Sequence, residues 1–422
     1  MARTKRGTAL CSLHHVIDLE WMLEAYDLTR KDGAPGIDGV TATDYEANLE
    51  ANLLDLLERI KSGRYEAPPV RRTYIPKADG SQRPIGIPAF EDKVAQRAVS
   101  MVLEAIYEQD FLPGSYGFRP GRSAHQALNS LQQEIWSKRL YWVLELDIRK
   151  YFDSIPHTHL RAFLDQRVTD GVIRRMIDKW LNAGVVEDGL LRRTTEGTPQ
   201  GGVVSPCISN IFLHHVLDEW FETQVRPRLA GRCTLVRFAD DAVMAFDNLV
   251  DAQRVLAVLG KRLERFGLTL HPDKTRLVDF RPMQADGTRH PDTGGTTFDF
   301  LGFTHVWGRS LKGKPMVRQI TAKSRFARAL AAVSDWCQKN RHLPIRVQHR
   351  HLSAMMRGHF AYYGVGGNGQ RLRWFAYQVV RTWQKWLSRR DRGSVVRWAR
   401  LNEILKRHPL PPARIARPYA AR

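Results

Sequence analysis

Cysteine is scarce and scattered in this chain. Cys11, Cys207, Cys233 and Cys337 are the four in 422 residues, and no two form a C-x-x-C pair. That spacing excludes a finger-type zinc site and points to a reducing compartment. Long apolar runs are missing too. No stretch approaches the roughly 20 residues that span a bilayer, so no membrane partner is expected. The basic start, Met1-Ala2-Arg3-Thr4-Lys5-Arg6, has no long apolar region behind it. This argues against a secretory signal and for a cytoplasmic chain. Repeats and low-complexity tracts are absent. Acidic residues nearly disappear from the last quarter: Val317 to Arg422 holds 23 Lys and Arg against 3 Asp and Glu, whereas residues 1–316 hold 42 against 41. A balance so one-sided repels itself unless a polyanion lies against it, so this quarter is expected to grip nucleic acid.

What the chain does contain is a pair of adjacent carboxylates in an apolar setting. Cys233-Thr234-Leu235-Val236-Arg237-Phe238 precedes Ala239-Asp240-Asp241, and Ala242-Val243-Met244-Ala245-Phe246 follows. Runs of this kind read as strands, so the pair reads as the tight connection of a hairpin. Two ionised carboxylates side by side in apolar surroundings are unfavourable unless a cation neutralises them, and a divalent metal with oxygen ligands does so. A second apolar run, Val143-Leu144-Glu145-Leu146-Asp147-Ile148, ends in a third carboxylate. Three carboxylates from two strand regions suit two Mg²⁺ ions clamping an in-line phosphoryl displacement.

Around these lies a mixed pattern. Residues 13–62 have helical periodicity, broken by the turn-rich Gly33-Ala34-Pro35-Gly36-Ile37-Asp38-Gly39. Arg72 to Pro88 reads as a hairpin with an Asp79-Gly80 turn. Helices are expected at 91–110, 123–137, 157–182, 205–224 and 250–266, and a strand pair at 275–280 and 297–305. From about 320 onward the pattern is helical and basic, with Trp374, Trp383, Trp386 and Trp398 among arginines. These tryptophans are expected mainly to pack helices. Strands alternating with helices, then helices alone, predict an α+β core with an α-helical appendage.

The ordered motifs carry a resemblance. Gly36-Ile37-Asp38-Gly39, Ile75-Pro76-Lys77 with Arg83 to Pro88, Ser115-Tyr116-Gly117-Phe118-Arg119-Pro120, Asp147 to Phe152, Gly197 to Ser205, Phe238 to Asp241, Gly267 to Thr275 and Phe300-Leu301-Gly302-Phe303 follow one another as in the reverse transcriptases. The chain most closely resembles the reverse transcriptase/maturases encoded by group II introns, over almost its whole length. The resemblance implies a right-hand polymerase fold, with fingers and a palm carrying an antiparallel sheet, then a helical thumb. It implies an N-terminal extension and the start of the fingers over 1–70, fingers and palm over 71–306, and a basic helical thumb/maturase region over 307–422.

The resemblance also assigns roles. Asp147, Asp240 and Asp241 match the metal-binding triad, with Ile148 offering its backbone carbonyl; two Mg²⁺ ions are implied, with Mn²⁺ as a substitute. Lys77 and Arg83 match residues that hold the incoming triphosphate, where Arg's fork suits phosphate oxygens and Lys acts as a point charge. Phe152 matches the bulky residue that excludes a ribose 2′-hydroxyl. Gln200, between a Pro and two Gly, matches a nucleotide-facing position, and Lys274 a supporting lysine. The implied partners are template or intron RNA, a DNA primer or target, and deoxynucleoside triphosphates, met in the cytoplasm or at the nucleoid. His157/His159 and His349/His351 have no further ligands to complete a metal site and read as surface or RNA-facing.

Phe238 stands where the family usually has Tyr, which leaves both Asp ligands intact. A Cys/His-rich endonuclease segment is not found, so DNA-strand cleavage is not expected. Arg237 has no role that the sequence explains. The leading reading is an RNA-directed DNA polymerase that binds intron RNA and assists its splicing and mobility. A domesticated relative acting in DNA repair or phage defence would use the same residues, and a non-catalytic splicing cofactor is the third reading.

Overall fold

The computed structural model describes residues 7–76, 82–187, 190–192, 196–197, 201–282, 297–310, 313–390 and 395–417. The chain divides into two compact units, residues 1–277 and 278–422. No helix among the described residues is long and apolar enough to cross a membrane.

The first unit opens with helices α1 (Leu19–Leu28), α2 (Ala42–Glu46) and α3 (Leu49–Ser62). Asp18 caps α1 and a Thr41–Asp44 capping box starts α2. Strands β1 (Val70–Pro76) and β2 (Gln82–Ile87) pair antiparallel, Arg71 opposite Ile87 through Pro76 opposite Gln82. Helices α4 (Phe90–Tyr107) and α5 (Ala124–Lys138) lead to β3 (Trp142–Leu146), then α6 (His157–Asp165) and α7 (Gly171–Asn182). Short strands β4 (Val185–Glu187) and β5 (Leu190–Arg192) extend the first sheet to the order β2-β1-β4-β5. Helix α8 (Ser205–Leu213) runs on into π-helical turns at His214–Asp218 and Phe221–Val225. Strands β6 (Cys233–Phe238) and β7 (Asp241–Phe246) and helix α9 (Leu249–Glu264) follow; strand β8 (Arg276–Asp279) straddles the boundary at residue 277, and the second sheet has the order β6-β7-β3-β8. Leu144, Leu146, Met244 and Phe246 from this sheet join α4, α8 and α9 in one buried apolar core.

The second unit holds β9 (Phe298–Phe300), β10 (Phe303–Arg309) and β11 (Pro315–Thr321), in the order β11-β10-β9. Helices α10 (Lys323–Lys339), α11 (Ile345–Tyr363), α12 (Gly369–Leu387) and α13 (Trp398–Arg407) enclose a second core around Leu352, Met356, Phe375 and Trp383.

Four expectations need correction. The helix expected over 157–182 is two helices, because Asp170 caps a new start. Its carboxylate accepts from the backbone N–H groups of Val172 at 2.9 Å and Ile173 at 3.0 Å. The strands near 275–280 and 297–305 belong to different sheets, β8 beside β3 and β10 between β9 and β11. Strand β11 went unread because the groups it buries include polar Gln319 and Thr321, so no apolar alternation marks it. His157 is buried, not on the surface, with Nε2 2.7 Å from the Gly197 carbonyl.

Asp170 carries a stability prediction. Besides capping α7, it accepts from the N–H groups of Leu13 at 2.6 Å and His14 at 3.0 Å. Burial alone would raise its carboxyl, but these four backbone donors and the His14 ring outweigh it and hold the pKa down to about 2. Asp170→Ala removes a cap and orphans buried donors, a loss of about 3 kcal/mol. That lowers the melting temperature by roughly 6–10 °C at pH 7. A depressed carboxyl contributes above its ordinary pKa and stops contributing as pH falls through about 2. Thermal melts should therefore show the wild-type advantage narrowing below about pH 4; a constant gap refutes the electrostatic part.

Candidate active site

The hairpin β6–β7 turns through two residues, Ala239 and Asp240, with Phe238 opposite Asp241. Two-residue hairpin turns need positive φ, and Ala239 adopts it at 57°. A side chain in this region costs of order 1–3 kcal/mol, so the surroundings must hold it. β3 lies antiparallel to β7, and the last registered pair is Leu146 opposite Ala242. The next step of that register brings Asp147 beside Asp241. The third carboxylate, Asp240, sits in the turn itself.

Asp240 is half-buried, and burial raises its carboxyl above the usual range; the Asp147 charge raises it further, while Arg83 and Arg237 pull it down. Neighbouring negative groups held partly out of water call for a cation, and a set of carboxylate oxygens suits a hard divalent one. Asp147 is fixed from the other side as well. Its carbonyl accepts from His271 N–H at 2.8 Å, Arg149 N–H donates to the Thr269 carbonyl at 2.8 Å, and Lys274 Nζ lies 3.3 Å from Asp147 Oδ2. Ile148 buries its side chain and bridges Leu270, so only its backbone is available to a ligand.

Arg83 is exposed on β2, and its charge reaches Asp240. Phe152 is half-buried in the short turn Tyr151–Asp153 that follows β3, its ring 5.3 Å from Tyr151. Tyr151 is itself pinned, its hydroxyl donating to the Ser209 carbonyl of α8 at 2.7 Å. Lys77 and Gln200 lie outside the described residues. Gly201, next to Gln200, has φ of 115°, and a Cβ there would sit 2.4 Å from the Gly86 carbonyl oxygen, so Gly201 itself lies directly on β2. The described members that converge on one place are thus Asp147, Asp240, Asp241, Lys274 and, by its charge, Arg83.

The sequence did not reveal what backs the hairpin. The stretch Gly114 to Gly117 runs alongside β6: Arg237 N–H donates to the Gly114 carbonyl at 2.8 Å and Tyr116 N–H to the Arg237 carbonyl at 2.8 Å. This clip is held by buried Arg119, which forms a two-pronged pair with Glu108 at 2.8 Å and donates to the carbonyls of Leu112 and Ser115. Phe118, with positive φ and an exposed ring, stands 6.2 Å from the Phe238 ring. Buried Arg237 is the centre of the arrangement. The one signal available was its place, a charge inside an apolar strand.

Comparison with known proteins bears on this geometry. The family model described as "Reverse transcriptase (RNA-dependent DNA polymerase)" matches residues 75–305. Protein YkfC of Escherichia coli (strain K12) is 42% identical over 355 residues, 74% of this chain and 88% of that protein. The group II intron-encoded protein LtrA of Lactococcus lactis subsp. cremoris is 41% identical over 168 residues, 40% of this chain and 28% of LtrA. An uncharacterized 91 kDa protein in the cob intron of Schizosaccharomyces pombe is 43% identical over 178 residues, 41% of this chain and 22% of that protein. The chain thus spans most of YkfC but under a third of the two intron-encoded relatives. Its matched region contains both strands that carry the carboxylates, and the chain belongs to the reverse transcriptase (RNA-dependent DNA polymerase) family.

Proposed function

We propose that this chain extends a DNA primer on an RNA template at Asp147, Asp240 and Asp241, and that it binds group II intron RNA to assist splicing and mobility. The observation that carries the reading is the β3–β7 register: β3 ends one residue before Asp147, β7 begins at Asp241, and the two pair as far as Leu146 opposite Ala242. The reaction is attack of the primer 3′-oxygen on the α-phosphorus of a deoxynucleoside triphosphate, with pyrophosphate leaving. Two Mg²⁺ ions, held by the three carboxylates and the Ile148 carbonyl, would activate the 3′-hydroxyl and neutralise the leaving charge. The chain's own groups do the rest. Arg83 and Lys77 hold the triphosphate from the β1–β2 hairpin. Phe152 closes the space beside the sugar 2′-position, Gln200 meets the nucleotide, and Lys274 holds Asp147 in place. Residues 1–70 form the extension and the start of the fingers, 71–306 the fingers and palm, and 307–422 the thumb and maturase region, in the cytoplasm.

Primer extension on an RNA template with Mg²⁺ and deoxynucleotides tests the polymerase reading. No extension across templates and salt concentrations would refute it. The basic region supports a second measurement. Arg373, Arg381 and Lys385 are exposed at four- and eight-residue spacings along α12, on one face of the helix. Changing all three to Gln should weaken binding to intron RNA. The slope of log K against log salt should become shallower by about 2–3, at roughly 0.7–0.9 per lost phosphate contact. An unchanged slope in a filter-binding titration would move the RNA grip off this helix.

A further inference from the structure

Arg237 satisfies every donor it has. Its side chain is fully buried, as are those of the partners that surround it. Nε donates to Asp218 Oδ1 at 2.7 Å and one terminal nitrogen to Asp218 Oδ2 at 2.5 Å. That same nitrogen donates to Ser115 Oγ at 2.8 Å. The other terminal nitrogen donates to Asn210 Oδ1 and to the Ala239 carbonyl, both at 2.9 Å. Five N–H groups meet five acceptors, which is the full capacity of a guanidinium.

The partners come from separate parts of the first unit. Ser115 belongs to the clip, Asn210 to α8, Asp218 to the π-helical turn beyond it, and Ala239 to the turn that carries Asp240. Asn210 closes the loop by donating to the Gly117 carbonyl at 2.6 Å. Burial raises the Asp218 carboxyl, and the guanidinium offsets that only in part, so it stays above the usual carboxylate range. A buried ion pair is weak evidence for stability, since apolar residues of similar size often replace it without loss. This one reaches past its carboxylate to the strained peptide of the hairpin.

We infer that Arg237 is a positioning residue for the polymerase reaction, fixing the Ala239 peptide so that Asp240 meets its metal ion. The inference rests on the reading of Asp240 as a metal ligand. Lysine cannot substitute, because a single ammonium has three donors and no planar fork.

The test compares three folded proteins in primer extension. Arg237→Met with Asp218→Leu removes both charges together, which avoids a lone buried charge. Ser115→Ala keeps the ion pair and removes one of the five acceptors. In the double variant, kcat should fall about 10–100-fold and the Mg²⁺ concentration for half-maximal rate should rise several-fold. The KM for deoxynucleotides should stay near wild type, while the melting temperature falls, because Ser115 Oγ, Asn210 Oδ1 and the Ala239 carbonyl each lose a buried donor. Ser115→Ala should shift the Mg²⁺ requirement in the same direction by about two- to threefold, with melting lower by only a few degrees because one buried donor of Arg237 loses its acceptor. If the double variant does not fold, Ser115→Ala and Asn210→Ala carry the test alone. Wild-type kcat and Mg²⁺ requirement in the folded variants overturn the inference and leave Arg237 a structural ion pair. Full activity of Asp240→Asn would instead overturn the metal-ligand reading beneath it, so the two failures are distinct.

Discussion

Asp240→Asn is expected to cut primer extension at least about a thousandfold, a loss of about 4 kcal/mol in transition-state stabilisation. Its metal-free form should be as stable as wild type or more so. The two expectations come from one cause. Burial and the Asp147 charge both raise the Asp240 carboxyl, so its ionised form is unfavourable until a cation arrives. Asparagine keeps the shape and removes the charge, which relieves the metal-free protein and removes the ligand. The sign of the pH dependence follows. A carboxyl raised by folding contributes stability at low pH and loses it as pH rises through its folded pKa. Metal-free wild type should therefore lose ground to Asp240→Asn as pH rises from the ordinary carboxylate range toward neutral. Added Mg²⁺ should stabilise wild type at neutral pH and leave Asp240→Asn nearly unchanged. Primer extension and thermal melts with and without Mg²⁺ check this. A variant keeping more than a tenth of wild-type activity would refute the site.

Gly117→Ala is the second change with a large expected effect. A Cβ at Gly117 would lie 2.2 Å from the Ala239 nitrogen, 2.8 Å from the Phe238 carbonyl carbon and 3.0 Å from the Ala239 Cα. All three are backbone atoms, so no side chain can swing away. The clip would have to lift off the hairpin, straining the Asn210 bond to the Gly117 carbonyl and the Tyr116 bond to Arg237. Overpacking of this kind costs about 3 kcal/mol. In a unit of this size it lowers melting by roughly 5–10 °C. Activity should fall about a hundredfold or more, since the displaced atoms are those of the Asp240 turn itself. Gly358→Ala in α11 is the control, because a Cβ there meets nothing within 4 Å. Equal behaviour of the two alanine variants in melting and extension would show that the clip does not bear on the hairpin.

The parts legible in the sequence are those that a short window contains. The β6–β7 hairpin could be read because apolar strands flank a polar turn within fourteen residues. Asp147 could be read because it ends an apolar run. The family likeness arose from motif order, which no fold description was needed to see. What stayed hidden was long-range or polar. The Arg237 partners are spread from Ser115 to Ala239, and no local pattern links a serine, an asparagine and an aspartate to one guanidinium. The widening of α8 into π turns leaves the apolar periodicity nearly intact. The break at Asp170 hides within two helical patterns of similar phase, and its reason lies with Leu13 and His14, far back in the chain. Strand β11 buries Gln319 and Thr321, which a hydrophobicity pattern reads as surface. The expected packing role of the tryptophans divides: Trp383 is fully buried in the helical core, whereas Trp374 and Trp398 are close to half exposed.

The clip along β6 has a consequence beyond the reaction. β6 is the outermost strand of its sheet. An open outer strand offers unpaired N–H and carbonyl groups to any other strand and is a route to self-association. At Arg237 both outward-facing backbone groups are already taken, by the Gly114 carbonyl and the Tyr116 N–H. Gly114 lies so close that a Cβ there would be 2.4 Å from the Leu235 carbonyl oxygen, which leaves no room for a foreign strand. The segment that braces the Asp240 turn thus also shields the sheet margin from recruiting a second chain, and loosening it would expose the protein to aggregation as well as to loss of rate.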